Sequence, residues 1–247
     1  MYHFFVEEEN QIREDSIVIT GEDVNHIRNV LRMKEGEKIR ISDGRNKDYL
    51  CQIDEIGKDQ VTARILEAEE ESRELGAKIY LFQGLPKGDK MELIIQKAVE
   101  LGAWEIIPVT TRRTVVKLDQ KKAEAKRKRW NAISESAAKQ SGRTVIPQVG
   151  EIVTFKEAIA RGKSLDKSLI PYECADDMAE TRAIVGQLKK GMDIGIFIGP
   201  EGGFDKEEIQ EAMDAGIRPI TLGKRILRTE TAGLAALSIL MFALEEG

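Results

Sequence analysis

Two stretches of the chain combine glycines with charged residues in a way that suits ligand chemistry. In the first, the apolar run 194–198 ends in Gly-Pro-Glu-Gly-Gly at residues 199–203. Asp205 and Glu208 then form the capping-box pattern of a helix start. Glycines that follow a strand let a ligand approach bare backbone, as at the carboxyl edge of a parallel sheet. A tight β–α turn without a ligand stays open as the alternative.

The second stretch, residues 222–232, reads Leu-Gly-Lys-Arg-Ile-Leu-Arg-Thr-Glu-Thr-Ala. Its charged residues directly precede an almost wholly apolar segment that ends at Leu244. Charges are costly next to a core unless they are paired or bind a ligand. Two glycine-containing strand ends close together in sequence predict two loops along one sheet edge, with many backbone donors and acceptors.

Composition excludes several classes of site. The two cysteines, Cys51 and Cys174, lie far apart without metal-ligand spacing, and the only histidines are His3 and His26. A zinc site and a Ser-His-Asp mechanism are therefore disfavoured, and reduced cysteines favour the cytoplasm. For the same reasons we expect no metal. We also expect no membrane span, because the longest apolar run near the end, 232–244, is too short to cross a bilayer. Neither common glycine motif for dinucleotides or nucleotide phosphates occurs, which argues against a dinucleotide-dependent enzyme.

Charge is segregated along the chain, although the net charge is only −5. Residues 110–147 hold 11 Lys and Arg against 3 acidic residues, whereas residues 1–73 hold 11 against 18. A basic block in an acidic protein is the pattern expected for a phosphate-rich partner. A solvated helix face around residues 121–129 is the alternative.

The pattern of predicted secondary structure changes near residue 73. Before it, short β-rich runs separated by turn signals predict a small barrel, interrupted by one helix with Val24, Ile27, Val30 and Leu31 on one face. After it, strands alternate with helices, which predicts an α/β domain with a mainly parallel sheet. We therefore expect two domains, residues 1–72 and 73–247.

The motifs together resemble one known family. Along the chain the motifs are HIRNVLR at 26–32, KGDK at 87–90, KAVELG at 97–102, RW at 129–130 with QSGR at 140–143, and then the two glycine stretches. This set resembles the ribosomal RNA small subunit methyltransferase E family, N3-uridine methyltransferases of the SPOUT superfamily, over nearly the whole chain. One departure is Met1-Tyr2-His3 at the start, where family members commonly carry an arginine.

The resemblance implies a small PUA-like β-barrel that binds RNA, followed by a SPOUT-type α/β domain with a trefoil knot. The knotted loops would hold S-adenosyl-L-methionine, and the protein would be a cytoplasmic homodimer. The residues assigned to the cofactor pocket are Pro171, Tyr172, Glu173, Ile198, Gly199, Pro200, Glu201, Gly202, Gly203, Leu222, Gly223, Ile226, Leu227, Arg228 and Ala232.

The implied reaction is methylation of N3 of one uridine in 16S ribosomal RNA or the small ribosomal subunit. The uracil N3 proton must leave, so a group must accept it or stabilise charge on the neighbouring carbonyl oxygens. Arg228 is the leading candidate for the electrostatic role. Glu201 and Glu230 are candidate bases, with a structural salt bridge to Arg225 or Arg228 as the favoured alternative.

The basic residues would contact RNA phosphates, which positions a substrate without reading its sequence. Two other functions stay open: a SPOUT enzyme acting on another RNA such as tRNA, and a non-catalytic RNA-binding factor in ribosome assembly. The predicted RNA-binding residues are Arg28, Arg32, Lys87, Arg112, Arg113, Arg129 and Arg143.

Overall fold

The computed structural model describes residues 1–6, 9–69, 73–172 and 177–245. They form two compact units, of which the first comprises Met1–Glu74 and Ala138–Ile146. The second comprises Leu75–Ala137 and Pro147–Gly247. The inclusion of Ala138–Ile146 in the first unit is an association between distant parts of the chain, for which the sequence carries no local signal.

The first unit contains one five-stranded sheet in the order β1-β3-β4-β5-β2. All five overlap β-rich runs that the sequence predicts as strands, at residues 3–6, 16–19, 38–41, 49–53 and 60–65. β1 runs parallel to β3, and the other pairs are antiparallel. Alternation along each strand directs isoleucines and valines into a core that includes Phe4 and Ile27. The strands are β1 (His3–Phe5), β2 (Ser16–Thr20), β3 (Lys38–Ser42), β4 (Asp48–Ile56) and β5 (Gln60–Glu69).

The helical segment of this unit differs from its prediction. A single α-turn, α1 (Glu22–Asn25), continues as a π-turn over His26–Val30, in which the Leu31 N–H donates to the His26 carbonyl at 2.9 Å. Because the π-turn closes hydrogen bonds over five residues, it shifts the side chains that follow away from α-helical positions. Ile27 stays buried, but Val30 is 61% exposed, so the expectation of one four-residue apolar face was wrong.

The second unit is built on a wholly parallel sheet in the order β12-β10-β11-β6-β7-β8, with β9 also pairing with β7. Its central strands are apolar along their length, as buried parallel strands usually are. The strands are β6 (Lys78–Gly84), β7 (Ala103–Thr110), β8 (Gln148–Val149), β9 (Val153–Thr154), β10 (Lys167–Pro171), β11 (Asp193–Ile198) and β12 (Arg218–Ile220).

Six helices accompany this sheet in the described residues. Five overlap segments that the sequence predicts as helices, namely the segment from Asp89 to 101 and those near 123–139, 179–188, 207–215 and 231–244. The sequence analysis missed α4, β8 and β9. The signal for α4 was present, because Thr154 and Glu157 form a reciprocal capping box before it. The helices are α2 (Lys90–Glu100), α3 (Gln120–Ser141), α4 (Phe155–Lys163), α5 (Met178–Val185), α6 (Lys206–Asp214) and α7 (Thr229–Leu244).

Aromatic packing fixes the middle of the parallel sheet. The rings of Phe82 on β6 and Phe197 on β11 stack with centroids 4.2 Å apart, and Phe155 meets Phe197 edge-on. Burying such a side chain contributes about 1.5–3 kcal/mol, so this cluster holds β6 and β11 firmly side by side. Their carboxyl ends are thereby fixed next to each other. Of the helices in the described ranges, none has the length and apolarity to cross a membrane.

Candidate active site

Four adjacent parallel strands end at one edge of the second unit's sheet. The spatial order is β12-β10-β11-β6. β11 follows β10 in the chain and lies on one side of it, whereas β12, which follows β11 in the chain, lies on the opposite side of β10. This reversal is the kind of switch point at which α/β sheets bind ligands. The segments 84–89, 171–172, 199–203 and 221–228 all leave from this edge. The two glycine stretches are thus brought together as predicted.

The glycine loop after β11 is a tight turn. The Gly203 N–H donates to the Pro200 carbonyl at 2.8 Å, and Asp205 and Glu208 form the predicted capping box at the start of α6. Gly84, at the end of β6, lies against this loop. A Cβ added to Gly84 would lie 2.6 Å from the backbone nitrogen of Pro200. Only glycine permits so close an approach between the two segments.

Glu201 fastens this loop to the segment after β6. Its carboxylate accepts a hydrogen bond from the Lys87 N–H at 3.0 Å and one from the Lys90 ammonium at 3.0 Å. Burial raises the pKa of Glu201, but hydrogen bonds from its own backbone N–H, Lys90 and Lys87 outweigh that effect and leave the pKa below its ordinary value. A carboxylate with a lowered pKa is a weaker base. The environment of Glu201 therefore suits a structural role.

Glu230 shares the same cation. Its Oε2 atom is buried and lies 3.5 Å from the Lys90 ammonium, which is an ion-pair distance without hydrogen-bond geometry. We expected the partner of either glutamate to be Arg225 or Arg228. Within the described residues, however, neither arginine has an ion pair. Lys90, at the start of α2, is the partner instead of these arginines. It is 111 positions from Glu201 in the sequence, so no local pattern could indicate this pair.

The second loop is open and positively charged. Gly223 has φ +105°, and the following residues Lys224, Arg225 and Ile226 are exposed. Ile226 is 88% exposed. Arg228 is exposed at the N-cap of α7, and its side chain makes no cap hydrogen bond. An unpaired guanidinium at the mouth of two backbone-lined loops is free to meet an anion or a developing negative charge.

Sequence analysis missed two polar residues at this edge, Gln83 and Thr229. Gln83 Nε2 donates to the Gly84 carbonyl at 2.9 Å and to Thr229 Oγ1 at 3.0 Å. The Thr229 hydroxyl donates in turn to the Gly199 carbonyl at 2.6 Å. The available signal was a single glutamine at the end of an otherwise apolar strand. Both side chains lie beneath the predicted loops.

The third predicted wall lies at the end of β10. The Tyr172 N–H donates to the Ile220 carbonyl at 3.0 Å, which keeps Tyr172 beside β12. Glu173, predicted for the same wall, lies outside the described residues. The apolar pocket residues reach the same edge with different burial. Ile198 is buried, whereas Leu222, Leu227 and Ala232 are half-buried.

Several predicted RNA-binding cations of the second unit have acidic partners. Arg112 pairs with Glu207 and lies near Asp205 and Glu211 on α6. Arg113 Nη1 donates to the Gly202 carbonyl at 2.7 Å, so this arginine also buttresses the glycine loop. Two others lie further along the chain. Arg129 is exposed and forms a two-point contact with Glu92, and Lys87 is exposed.

The three predicted cations of the first unit divide into two groups. Arg28 and Arg32 are exposed and have no ion pair among the described residues. Arg143 is only 5% exposed, and its guanidinium binds the Glu74 carboxylate. The predicted phosphate contact of Arg143 is therefore corrected to a structural one, because a buried and paired guanidinium does not present itself to a ligand.

The loops fit a ligand that is recognised through backbone groups. At Gly203 and Gly223 an added Cβ would meet nothing within 4 Å, so open space lies above the backbone in both loops. N–H and C=O groups that face such space can read a purine edge, and half-buried leucines supply apolar contact. Across the described ranges, no three His, Cys, Asp or Glu side chains are grouped as metal ligands.

Comparison with known proteins defines the class of this fold and site. A family model described as an RNA methyltransferase domain matches residues 73–241, and one described as an RNA methyltransferase PUA domain matches residues 19–66. These matches confirm the α/β domain and the PUA-like domain, and they make the chain an RNA methyltransferase by class.

The particular family follows from its relatives. The chain belongs to the ribosomal RNA small subunit methyltransferase E family, because it is 42% identical to the Bacillus subtilis member over 99% of this chain and 98% of that protein. The Neisseria gonorrhoeae member, solved bound to S-adenosyl methionine, is 33% identical with a TM-score of 0.85 over 98% of this chain and 97% of that one. A Legionella pneumophila protein, solved with bound cofactor SAM, is 34% identical with the same TM-score and coverage.

Proposed function

We propose that this chain transfers a methyl group from S-adenosyl-L-methionine to N3 of a uridine in 16S ribosomal RNA of the small ribosomal subunit. The observation that carries the proposal is the unpaired Arg228 guanidinium at the junction of the second loop and α7. It stands beside two glycine-bearing loops with open backbone. The family's name and the SAM-bound relatives support the same reaction class.

In this proposal the cofactor lies between the two loops. Backbone groups of Gly199, Gly202, Gly223 and Ile226 would read the adenine, and half-buried Leu222 and Leu227 would supply apolar walls. When bound, S-adenosyl-L-methionine supplies an already activated methyl group. The task of the protein is then to orient the nucleophile and to exclude water, which is catalysis by positioning.

The residues around the loops divide the remaining chemistry. Arg228 would stabilise negative charge that develops on the uracil carbonyl oxygens as N3 loses its proton. Glu201, with a lowered pKa and hydrogen bonds from Lys87 and Lys90, would hold the loop. Among the described residues, the side chain of Glu230 makes only the longer contact with Lys90, at 3.5 Å, and Glu230 stays the other candidate for the base.

RNA would be held mainly through its phosphates. Arg28 and Arg32 in the first unit, and Lys87 in the second, are exposed cations suited to this contact. On the second unit, α3 and β8 also line an open groove of about 620 Å³, with the cations Lys121, Arg127 and Lys128 among its lining residues. Such contacts would position the substrate, and the target base would leave its stack to reach the methyl donor.

We further propose the domain division at residues 72 and 73, a cytoplasmic location, a trefoil knot formed by the loops 199–203 and 222–228, and a homodimer. An exposed apolar surface supports the dimer: on α7, Ile239 is 41% and Phe242 85% exposed. A second copy of the chain would cover these side chains. Sedimentation velocity on the purified protein measures the oligomeric state directly, and a monomer would contradict the dimer.

The test of the function is mass spectrometry of 16S ribosomal RNA from cells that lack this protein. Loss of one N3-methyluridine, restored by the wild-type gene but not by an Arg228→Ala gene, is the expected result. Loss of a methyl group from tRNA instead would make the chain a methyltransferase of another RNA. Calorimetry with S-adenosyl-L-methionine distinguishes the third possibility, because a non-catalytic assembly factor need not bind the cofactor.

A further inference from the structure

A buried chain of hydrogen bonds joins three segments around the candidate site. It begins at Gln83, on β6, whose Nε2 donates to Thr229 Oγ1 at 3.0 Å. It continues from the Thr229 hydroxyl to the Gly199 carbonyl at 2.6 Å. Gln83 is fully buried, and Thr229 is 6% exposed. This relay of hydrogen bonds therefore connects the end of β6, the first residue of α7 and the first residue of the glycine loop.

The direction of these hydrogen bonds is determined by the groups involved. The Gly199 and Gly84 carbonyls can only accept hydrogen bonds, so the Thr229 hydroxyl donates its one proton to Gly199. The Thr229 oxygen must therefore accept from Gln83. The Gln83 carboxamide therefore presents nitrogen to both Gly84 and Thr229. Removal of the Thr229 hydroxyl leaves the Gly199 carbonyl without its donor, whereas removal of Gln83 leaves Thr229 Oγ1 without the donor that orients the hydroxyl.

Gln83 is an unfavourable choice for packing alone. Its Oε1 atom is buried and finds no hydrogen-bond partner among the residues that the structure describes. An unmet acceptor in a core is destabilising, and an apolar side chain of similar shape would avoid the loss. The neighbouring residues of β6, Leu81 and Phe82, are both buried and apolar. The hydrogen bonds that Gln83 Nε2 donates to Gly84 and Thr229 explain why a glutamine occupies this position.

The hydrogen bond between Thr229 and Gly199 joins the two halves of the proposed site. Gly199 opens the loop that would hold the cofactor, and Thr229 directly follows Arg228. We propose that Gln83 and Thr229 are positioning residues, which keep the backbone of Arg228 in register with the glycine loop for methyl transfer. This inference rests on the proposed function. A displacement of 1 Å in such a site can slow a reaction by about 10²-fold.

The primary experiment compares Thr229→Val with Thr229→Ser, using purified full-length protein, S-adenosyl-L-methionine and small ribosomal subunits. Valine keeps the shape but removes the hydroxyl, whereas serine restores the hydroxyl without the methyl group. We expect Thr229→Val to lower kcat by about tenfold to 10²-fold and to raise the KM for the cofactor. Thr229→Ser should stay near the wild type. Thr231→Val is the matched control, because Thr231 is exposed on the same helical turn.

A second variant breaks the relay from its other end. Gln83→Met removes the unmet oxygen but also the nitrogen that donates to the Gly84 carbonyl and to Thr229 Oγ1. These effects on stability oppose each other, so we expect a Tm close to that of the wild type and a lower kcat, as in Thr229→Val. A residue that only stabilises the fold would not separate Tm from kcat in this way. The double variant should be no worse than the poorer single variant, because both changes break one relay.

The outcomes separate this inference from the proposed function. A wild-type protein that neither binds S-adenosyl-L-methionine nor methylates the subunit would contradict the proposed function. Active wild type together with unimpaired Thr229→Val and Gln83→Met would overturn the relay alone. The relay would also be overturned if Thr229→Ser were as slow as Thr229→Val, or if the defects of the two single variants multiplied in the double variant. If Thr229→Val fails to fold, Gln83→Met decides the question by the same measurements.

Discussion

The ammonium group of Lys90 lies 3.0 Å from Glu201 Oε1, which ties the start of α2 to the glycine loop after β11. The same ammonium lies 3.5 Å from Glu230 Oε2 on α7. The hydrogen bond to Glu201 is the main cause of a raised pKa for Lys90. One cation therefore joins carboxylates from both sides of the candidate pocket and stays charged at neutral pH.

Replacement of Lys90 should loosen the cofactor loop without unfolding the protein. We expect Lys90→Met to weaken S-adenosyl-L-methionine binding by roughly two- to fivefold, a modest factor because the ion pair is partly solvent-exposed. Isothermal titration calorimetry measures the affinity. The matched control is Lys97→Met, which removes the 2.8 Å pair with Glu100 on the same helix. Equal affinities for the two variants would contradict a role of Lys90 at the site.

Arg228 should matter for the chemical step far more than for cofactor affinity. We expect Arg228→Ala to reduce kcat by about 10²–10³-fold, the usual effect of losing one donor to a developing oxyanion. Cofactor affinity should change little. Arg225→Ala is the control, since Arg225 is an exposed and unpaired arginine of the same loop. Full activity of Arg228→Ala on small ribosomal subunits would remove Arg228 from the mechanism.

RNA binding should depend steeply on salt, and the first unit should carry part of that dependence. Each phosphate neutralised on a single strand changes the slope of log K against log salt by about 0.7. We expect Arg28→Gln with Arg32→Asn to flatten the slope by about 1.4. Asparagine suits position 32, where φ is +53°. Filter binding at several salt concentrations gives the slope.

The control for the RNA surface is Arg64→Gln, which removes an arginine of the same unit that already pairs with Asp54 at 3.7 Å. Its slope should stay close to that of the wild type. A slope that is the same for the wild type and the double variant would show that Arg28 and Arg32 do not contact phosphates.

The first unit should lose stability in mild acid through His3. Burial lowers the pKa of His3, despite the opposing effect of Asp48. Its folded pKa lies below the unfolded value of about 6.5, so the unfolded chain binds more protons and the stabilisation is lost as the pH falls below that value. Between pH 7.5 and 5.5, we expect the urea midpoint to fall more in the wild type than in His3→Gln. Equal falls would contradict this origin.

Cys51 should be inert in the folded protein. Burial raises its pKa to about 12, and only the thiolate attacks alkylating reagents. In a Cys174→Ser background, iodoacetamide at pH 8 should label the native protein at least about 10²-fold more slowly than the urea-unfolded protein. Mass spectrometry counts the adducts. Rapid labelling of the native protein would show that the thiol is accessible, and slow labelling makes it a reporter for unfolding of the first unit.

Signals that act between neighbours along the chain were predicted correctly. The Asp205–Glu208 capping box starts α6, as the sequence predicted. The apolar run 194–198 marked β11, and the glycines after it marked a loop at the carboxyl end of that strand. These features depend on hydrogen bonds and dihedral preferences within a few residues, so the sequence contains their full physical cause.

Partners that are distant in sequence were decided by the tertiary structure. Arg143 is buried against Glu74, and Glu201 and Glu230 pair with Lys90 rather than with the expected Arg225 or Arg228. Nor could the sequence show that Gln83 supports Thr229, since 146 positions separate them. The sequence by itself determined the two strand ends and the glycine-containing loops that follow them. Only the fold decided which side chains hold the loops, because such contacts exist only after parallel strands bring distant segments to one sheet edge.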